Sequence, residues 1–66
     1  MQNHYQINVA YKGIYFFSTA QNQLTSEKDA RKVFNSLSKN YPKEEGYSVT
    51  CYYWQAYGKD MKWEAE

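Results

Sequence analysis

Cysteine and histidine each occur only once in this 66-residue chain, and their scarcity excludes whole classes of protein. With Cys51 as the single cysteine, no disulfide can form within the chain. His4 and Cys51 have no further ligand at metal-binding spacing, so we expect neither a metal nor another cofactor. Phosphate-binding glycine loops and nucleophile elbows are also missing. Because a mid-strand thiol is most often a buried structural group, we expect no enzymatic activity.

Charge of one sign and long apolar runs are scarce as well. Eight basic and seven acidic residues give a net charge of +1, unlike the basic surface of a nucleic-acid-binding protein or the acidic surface of a DNA mimic. No apolar run approaches the length of a membrane span. Residues 1–6 have neither the basic nor the apolar region of a signal peptide. We therefore expect a cytoplasmic protein without membrane association, in which the lone thiol stays reduced.

Aromatic residues are what the chain has in excess. Eight tyrosines, three phenylalanines and two tryptophans make up 20% of the sequence. A chain of this length forms one small domain that buries only roughly 60% of the surface exposed by its unfolded form, so its margin of stability is small. Without disulfides or metals, dense aromatic packing or association between copies has to supply the missing stability.

The first part of the chain predicts a β-hairpin. Residues 5–11 alternate between apolar and polar side chains, as a half-buried strand does. Lys12-Gly13 is placed to form a two-residue turn, and the following segment, 14–20, is rich in aromatic and β-branched residues. A polar break at 21–23 then ends the second strand.

A helix is predicted from the residues that follow this break to Asn40. Thr25 or Ser26 is suited to cap its N-terminus, and Pro42 disfavours helical geometry at the residue before it. Apolar residues recur along it at positions i, i+3, i+4, i+7 and i+11, which forms one stripe that can pack on a sheet. The stripe consists of Ala30, Val33, Phe34, Leu37 and Tyr41.

The second part of the chain predicts two further strands. Residues 42–46 form a loop, 47–57 a long strand, Gly58-Lys59 a turn, and 61–64 a short final strand. The resulting order ββαββ predicts a single α+β domain over residues 1–66, a four-stranded antiparallel sheet with one helix packed on one face. We expect the strand order 2-1-3-4, with 1-2-3-4 as the alternative.

Strand parity distributes the aromatic side chains between the two faces of this sheet. A two-residue turn at Lys12-Gly13 pairs Tyr11 with Ile14 and Val9 with Phe16, and these residues are predicted to face the helix. A single helix cannot cover both faces, so the other face is predicted to carry a water-facing apolar patch. Its predicted members are Tyr15, Phe17, Tyr52, Trp54, Met61 and Trp63.

The later strands follow the same parity rule. On the third strand, Val49, Cys51 and Tyr53 are predicted to face the helix. A two-residue turn at Gly58-Lys59 would set Trp54 opposite Trp63 on the other face. A slip of one residue in the third strand would exchange the two faces.

The predicted patch favours a non-catalytic protein that binds a larger protein, because aromatic residues supply anchor energy at interfaces. Aromatic residues on a sheet also stabilise cross-strand pairs without any partner, which leaves an ordinary solvent-facing sheet as one alternative. A module that stacks nucleic-acid bases is another, although the near-neutral charge disfavours it. A third alternative is a structural domain whose sheet faces meet in a two-fold homodimer.

A stripe of basic residues is predicted on the outer side of the helix. Its default interpretation is a charged, solvated helix face, on which Glu27 can pair with Arg31 one turn later. Contact with phosphates or with an acidic protein surface is the functional alternative, which makes this stripe the reserve candidate for a binding site. The stripe consists of Lys28, Arg31, Lys32 and Lys39.

Three segments give the chain a resemblance to the small orphan proteins of phages and prophages. They are YKGIYFF at 11–17, LTSEKDARKVF at 24–34 and YPKEEGYSVT at 41–50. Some anti-CRISPR proteins and other host-takeover inhibitors share this size, a similar ββαββ layout and the lack of catalytic residues. The resemblance implies an inhibitor that docks on a host bacterial complex, such as a CRISPR effector, and blocks it. It implies no particular functional residues, because such proteins have none in common.

Overall fold

Four strands and one helix follow one another in the order ββαββ in the computed structural model, which describes residues 3–20 and 23–65. Neighbouring strands are antiparallel and lie in the order β2-β1-β3-β4, which confirms the predicted α+β fold and the predicted strand order. Part of the predicted polar break, residues 21 and 22, lies outside the described residues. The elements are β1 (His4–Tyr11), β2 (Ile14–Ser18), α1 (Glu27–Asn40), a short 3-10 helix (Lys43–Glu45), β3 (Tyr47–Gln55) and β4 (Gly58–Glu64).

The helix begins and ends where the sequence predicts. Ser26 is the N-cap, and its hydroxyl accepts a hydrogen bond from the backbone N–H of Asp29 at 3.2 Å. At the other end, the N–H of Tyr41 donates to the carbonyl of Leu37, and Pro42 follows. The predicted apolar stripe packs on the sheet: Ala30 and Phe34 are buried, and Val33, Leu37 and Tyr41 are partly buried against the core.

The core lies between α1 and the two central strands. β1 pairs with β3 along its whole length. Val9 lies opposite Val49 and Ile7 lies opposite Cys51, and all four side chains are fully buried. The parity predicted for these strands is therefore correct. Leu24, which joins the core from the segment before the helix, forms a single β-bridge with Tyr5.

The first hairpin turns at Lys12-Gly13 as predicted, but its strands are not in the predicted register. Lys12 and Gly13 have φ values of 50° and 82°, the left-handed pair that a tight two-residue hairpin turn requires. Tyr11 pairs with Ile14, but a β-bulge then shifts the ladder so that Val9 lies opposite Phe17. The predicted pairing of Val9 with Phe16 is wrong. Phe17 consequently packs on the helix side, against the core.

The second hairpin differs from the prediction at its turn and in its register. Gln55 pairs with Gly58, so the turn consists of Ala56 and Tyr57 and not of Gly58-Lys59. A second bulge sets Trp63 opposite Cys51, which turns its ring towards the helix. Trp54, predicted to lie opposite Trp63, lies opposite Lys59 instead.

Candidate functional site

The sheet face opposite the helix, here called the open face, carries four of the six predicted patch residues. Tyr15, Tyr52, Trp54 and Met61 lie on it, because they pair with Ala10, Gln6, His4 and Tyr52 in the β-ladders. No described helix packs on this face, since α1 contacts β1 and β3 from the other side. Phe17 and Trp63 are absent from it, because the two bulges turn them towards α1.

A chain of side-chain hydrogen bonds crosses the open face and includes two of its aromatic residues. The indole Nε1 of Trp54 donates to Oε1 of Gln6 at 2.8 Å. Nε2 of Gln6 lies 3.5 Å from Oγ of Ser18, and that hydroxyl is 2.9 Å from the hydroxyl of Tyr15. These bonds join strands β3, β1 and β2, so Trp54 and Tyr15 are held in defined positions before any partner arrives.

A lysine covers part of the open face. Nζ of Lys59 lies 4.5 Å from the ring centroid of Tyr52 and 5.2 Å from that of Trp54, both within reach of a cation–π interaction. Tyr52 and Trp54 are therefore half-buried, whereas Tyr15 and Met61 are 66% and 59% exposed. The open face is thus a mixed surface of aromatic rings, amides and one ammonium group.

Asn8 gives the open face one polar atom with an unmet hydrogen-bonding capacity. It lies on β1, opposite Thr50 on one side and Ser18 on the other. Its Oδ1 is buried and accepts no hydrogen bond from the described residues. Such an unsatisfied buried acceptor costs about 1–3 kcal/mol, a cost that folded proteins rarely leave uncompensated.

A second aromatic surface, the hairpin-end cluster, was missed in the sequence. It lies on the helix side of the sheet, where strands β1 and β2 meet. Phe16 and Tyr41 have ring centroids 6.2 Å apart, Tyr41 and Tyr47 5.2 Å, and Tyr11 and Tyr47 4.8 Å. Its exposed members were predicted to be covered by the helix, yet Ile14 is 73% exposed and Phe16 55% exposed. The cluster consists of Tyr11, Ile14, Phe16, Tyr41 and Tyr47.

The exposure of this cluster follows from the length of the helix. At 1.5 Å per residue, the 14 residues of α1 span about 21 Å, whereas the long axis of the molecule is 35 Å. Tyr41 is the last residue of the helix stripe, and α1 ends at Asn40, so α1 itself does not extend over the first hairpin. The lengths of the elements indicate this exposure, because a strand rises further per residue than a helix. The nine-residue strand β3 is therefore longer, measured along its axis, than the 14-residue helix α1.

The basic residues of the helix have different surroundings from those predicted. The guanidinium of Arg31 lies 4.1 Å from the ring centroid of Trp63, and Glu27 pairs with Nζ of Lys62 at 3.3 Å. The predicted pairing of Glu27 with Arg31 is therefore wrong, and Arg31 stabilises the core-side tryptophan. The remaining basic stripe residues, Lys28, Lys32 and Lys39, are exposed and make no ion pair within the described part of the chain.

Cys51 and His4 lie on opposite sides of the sheet. Cys51 is fully buried on the helix side, and burial raises the pKa of its thiol to about 11. His4, predicted to lie outside the strand, belongs to β1 and is buried on the open side, where its ring stacks with Trp54 at 6.2 Å. The two groups therefore do not form a nucleophile–base pair.

Metal ligands and membrane-spanning segments are the remaining kinds of functional feature. Over 3–20 and 23–65, no group of three or more His, Cys, Asp or Glu residues is arranged to hold a metal ion. Within the same ranges, no helix is long and apolar enough to cross a membrane. Comparison of the chain with protein-family models, with curated proteins and with solved structures gave no match.

Proposed function

We propose that this chain is a non-catalytic binding domain that docks on a larger protein through its open face. The observation that carries the proposal is the row of hydrogen-bonded aromatic side chains on a sheet face that no described element covers. Tyrosine and tryptophan supply a large part of the binding energy at protein interfaces. Of the predicted patch, the aromatic residues Tyr15, Tyr52 and Trp54 lie on this face, together with Met61 opposite Tyr52.

The rigidity of these side chains supports binding. An exposed tyrosine normally loses rotamer freedom when it is bound, which costs about 0.5–1.5 kcal/mol per side chain. The bond between Tyr15 and Ser18 and that between Trp54 and Gln6 already restrict these rings in the free protein. A partner would therefore meet a surface on which part of the ordering cost, that of Tyr15 and Trp54, has been met during folding.

The charge of the open face favours a protein partner over a nucleic acid. Lys59 and Glu64 are its charged strand residues among those described, and they cancel each other. Phosphate contacts dominate the affinity of nucleic-acid-binding proteins, and one lysine cannot supply them. The ammonium of Lys59 also lies over the rings on which bases would have to stack.

The resemblance to small phage proteins suggests what kind of partner to seek. Within the proposal, the chain blocks a host bacterial protein complex by occupying part of its surface, and a CRISPR effector is one such complex. A rigid, non-catalytic face is suited to steric blocking, because such inhibition needs only a stable contact and no chemistry.

Affinity capture from a bacterial lysate tests the proposal. The wild type is compared with Tyr15→Ser/Met61→Ser, which changes two exposed open-face residues, and with Lys28→Ala/Lys32→Ala, which changes two exposed helix residues. We expect the wild type and the helix variant to retain the same protein, and the open-face variant to lose at least tenfold of it. Loss in the helix variant alone would transfer the site to the basic stripe. A captured species removed by nuclease would identify nucleic acid instead.

A further inference from the structure

We propose that two copies of this chain associate about a two-fold axis through the hairpin-end cluster. This association goes beyond the proposed docking on a larger protein, since it uses the other side of the sheet. Tyr11, Ile14 and Phe16 are 40%, 73% and 55% exposed, although all three are large apolar or aromatic residues. Tyr11 and Phe16 adjoin Tyr41 and Tyr47 through ring contacts, and Ile14 lies opposite Tyr11 in the hairpin, so the exposed surface is continuous.

The area of the cluster, together with its rim, approaches that of a small dimer interface. With side-chain areas of about 150–250 Å² per aromatic residue, the exposed parts of Tyr11, Ile14 and Phe16 amount to roughly 300 Å² per copy. Two copies that also bury parts of Tyr41, Tyr47 and the surrounding rim approach the roughly 1,000 Å² that a specific interface requires. We therefore expect association at micromolar rather than nanomolar concentrations.

The small core is the reason to assign the cluster to a second copy. Among the described residues, the buried hydrophobic core consists of eight side chains. A domain of this size needs a further source of stability, and a single cysteine provides no disulfide. The concentration of potential self-partners rises with the concentration of the chain itself, whereas the concentration of a foreign partner does not. Association of copies therefore stabilises the fold under all conditions in which the chain is abundant.

The charged residues around the cluster are of both signs, so the rim of one copy can complement the rim of a second copy. Lys12 lies beside it, with Nζ 5.3 Å from the ring of Tyr11. The 3-10 helix between Tyr41 and Tyr47 adds Lys43, Glu44 and Glu45, all exposed. Two ammonium and two carboxylate groups thus form a rim of zero net charge. A two-fold axis brings each rim against its own copy, where groups of opposite sign can meet.

The association is expected to use side chains and not strand edges. β2 is an edge strand of only five residues, and its bulge bends it out of regular pairing. β4, at the other edge, carries alternating charges and a bulge of its own. Short, bulged and charged strands are the features with which proteins prevent edge pairing. The uncovered aromatic side chains remain as the surface that a second copy can bury.

Sedimentation velocity over a range from about 1 μM to about 500 μM tests this proposal, because an association of this size falls within that range. The monomer mass is 7.9 kDa. We expect the wild type to reach twice that mass, Ile14→Ser/Phe16→Ser to dissociate at least tenfold more readily, and Tyr15→Ser to behave as the wild type. Tyr15 is the matched control, since it lies between the two changed residues and points to the open face.

Charge variants provide a second test that leaves the apolar residues unchanged. Glu44→Lys/Glu45→Lys makes the rim wholly basic, and Lys12→Glu/Lys43→Glu makes it wholly acidic. We expect each variant alone to be monomeric at concentrations where the wild type is dimeric, and an equal mixture of the two to form a heterodimer. This arm decides the matter if Ile14→Ser/Phe16→Ser does not fold.

Three results would overturn the proposal. The first is a wild type that stays monomeric at the highest concentration. The second is a dimer that survives Ile14→Ser/Phe16→Ser in a folded variant, or that Tyr15→Ser dissociates, which would move the contact to the open face. The third is a set of charge variants that all remain dimeric. Only dissociation by Tyr15→Ser would also bear on the open face. Each of the other results overturns this proposal without affecting the capture experiment with Tyr15→Ser/Met61→Ser, so the two proposals can fail separately.

Discussion

Trp63 packs on the helix side of the sheet, and removing its ring by Trp63→Ala is expected to destabilise the domain strongly. Its ring stacks on Tyr5 with centroids 6.1 Å apart and lies 5.6 Å from the ring of Phe34. The guanidinium of Arg31 covers it at 4.1 Å. The substitution therefore removes contacts with one strand and with two turns of the helix, and opens the edge of the core.

The magnitude follows from the buried area of the indole ring. Trp63 is half-buried, so the substitution exposes or deletes roughly 150 Å² of apolar contact, worth about 3–4 kcal/mol at about 25 cal/mol per Å². The cation–π contact with Arg31 adds about 0.5–1 kcal/mol, and compaction of the unfolded chain reduces the sum. We expect a loss of about 3 kcal/mol, which is most of what a core of this size supplies.

Urea unfolding followed by far-UV circular dichroism measures this loss, with Met61→Ala as the matched control. Met61 lies on the same strand, two residues away, but it is exposed on the open face. Its substitution is expected to cost less than about 0.5 kcal/mol, as exposed positions generally do. The bulge at Lys62 is the cause of this difference, because it is what sets Trp63 and Met61 on opposite sides.

A loss below about 1 kcal/mol in Trp63→Ala, or a loss equal to that of Met61→Ala, would refute the reasoning. Either result would mean that Trp63 lies on the open face, opposite Trp54, as the unbulged register predicts. A variant that is already unfolded without urea would agree with the expected loss, provided that Met61→Ala remains folded.

Three further substitutions test single features of the fold. Lys12→Asn is expected to raise the free energy of unfolding by about 0.5–1 kcal/mol, because asparagine tolerates the positive φ of this turn better than lysine; an unchanged urea midpoint would contradict this. Folding raises the pKa of the Cys51 thiol from the ordinary value of 9.0 to about 11, so the free energy of unfolding should fall by roughly 2 kcal/mol as the pH rises from 9.0 to about 11. An equal fall in the free energy of unfolding of Cys51→Ala would exclude the thiol as the cause. Asn8→Leu removes the unsatisfied Oδ1 and should raise the free energy of unfolding by about 1 kcal/mol, whereas a lower melting temperature would show that this oxygen has a partner in solution.

The helix and the two central strands could be predicted. The residues that end the helix act locally, and the hydrophobic patterns of β1 and β3 agree with each other. Ser26 and Pro42 mark the ends of α1 through their own backbone chemistry, independently of the rest of the fold. In β1 and β3, a slip of one residue would expose Val9 and Val49 and bury polar side chains. The hydrophobic pattern therefore determines their register.

The registers of the two edge strands could not be predicted, because each strand contains a bulge that no residue marks. A bulge adds one residue without requiring glycine or proline, and its position depends on what the neighbouring side chains gain. In both cases the gain is the same: Phe17 and Trp63 move from the open face to the helix side and pack on the core. Because the bulges were not predicted, Phe17 and Trp63 were wrongly included in the predicted patch. Tyr15, Tyr52, Trp54 and Met61 lie on the predicted face.

The hairpin-end cluster shows a limit of a different kind. The side of the sheet on which Tyr11 and Tyr47 lie was predictable from parity, but their exposure depends on how far the helix reaches. At 1.5 Å per residue α1 spans about 21 Å of a molecule that is 35 Å long, so part of the sheet extends beyond the helix. Facing the helix side is therefore not the same as being covered by the helix.

Photo-cross-linking within bacterial cells tests the proposed docking surface most directly. A photoreactive phenylalanine analogue is introduced at position 15 on the open face and, in a second protein, at position 32 on the outer side of the helix. We expect a covalent adduct with another protein, larger than two copies of the chain, from position 15 and none from position 32. Adducts from position 32 alone, or from neither position, would contradict the assignment of the open face as the docking surface.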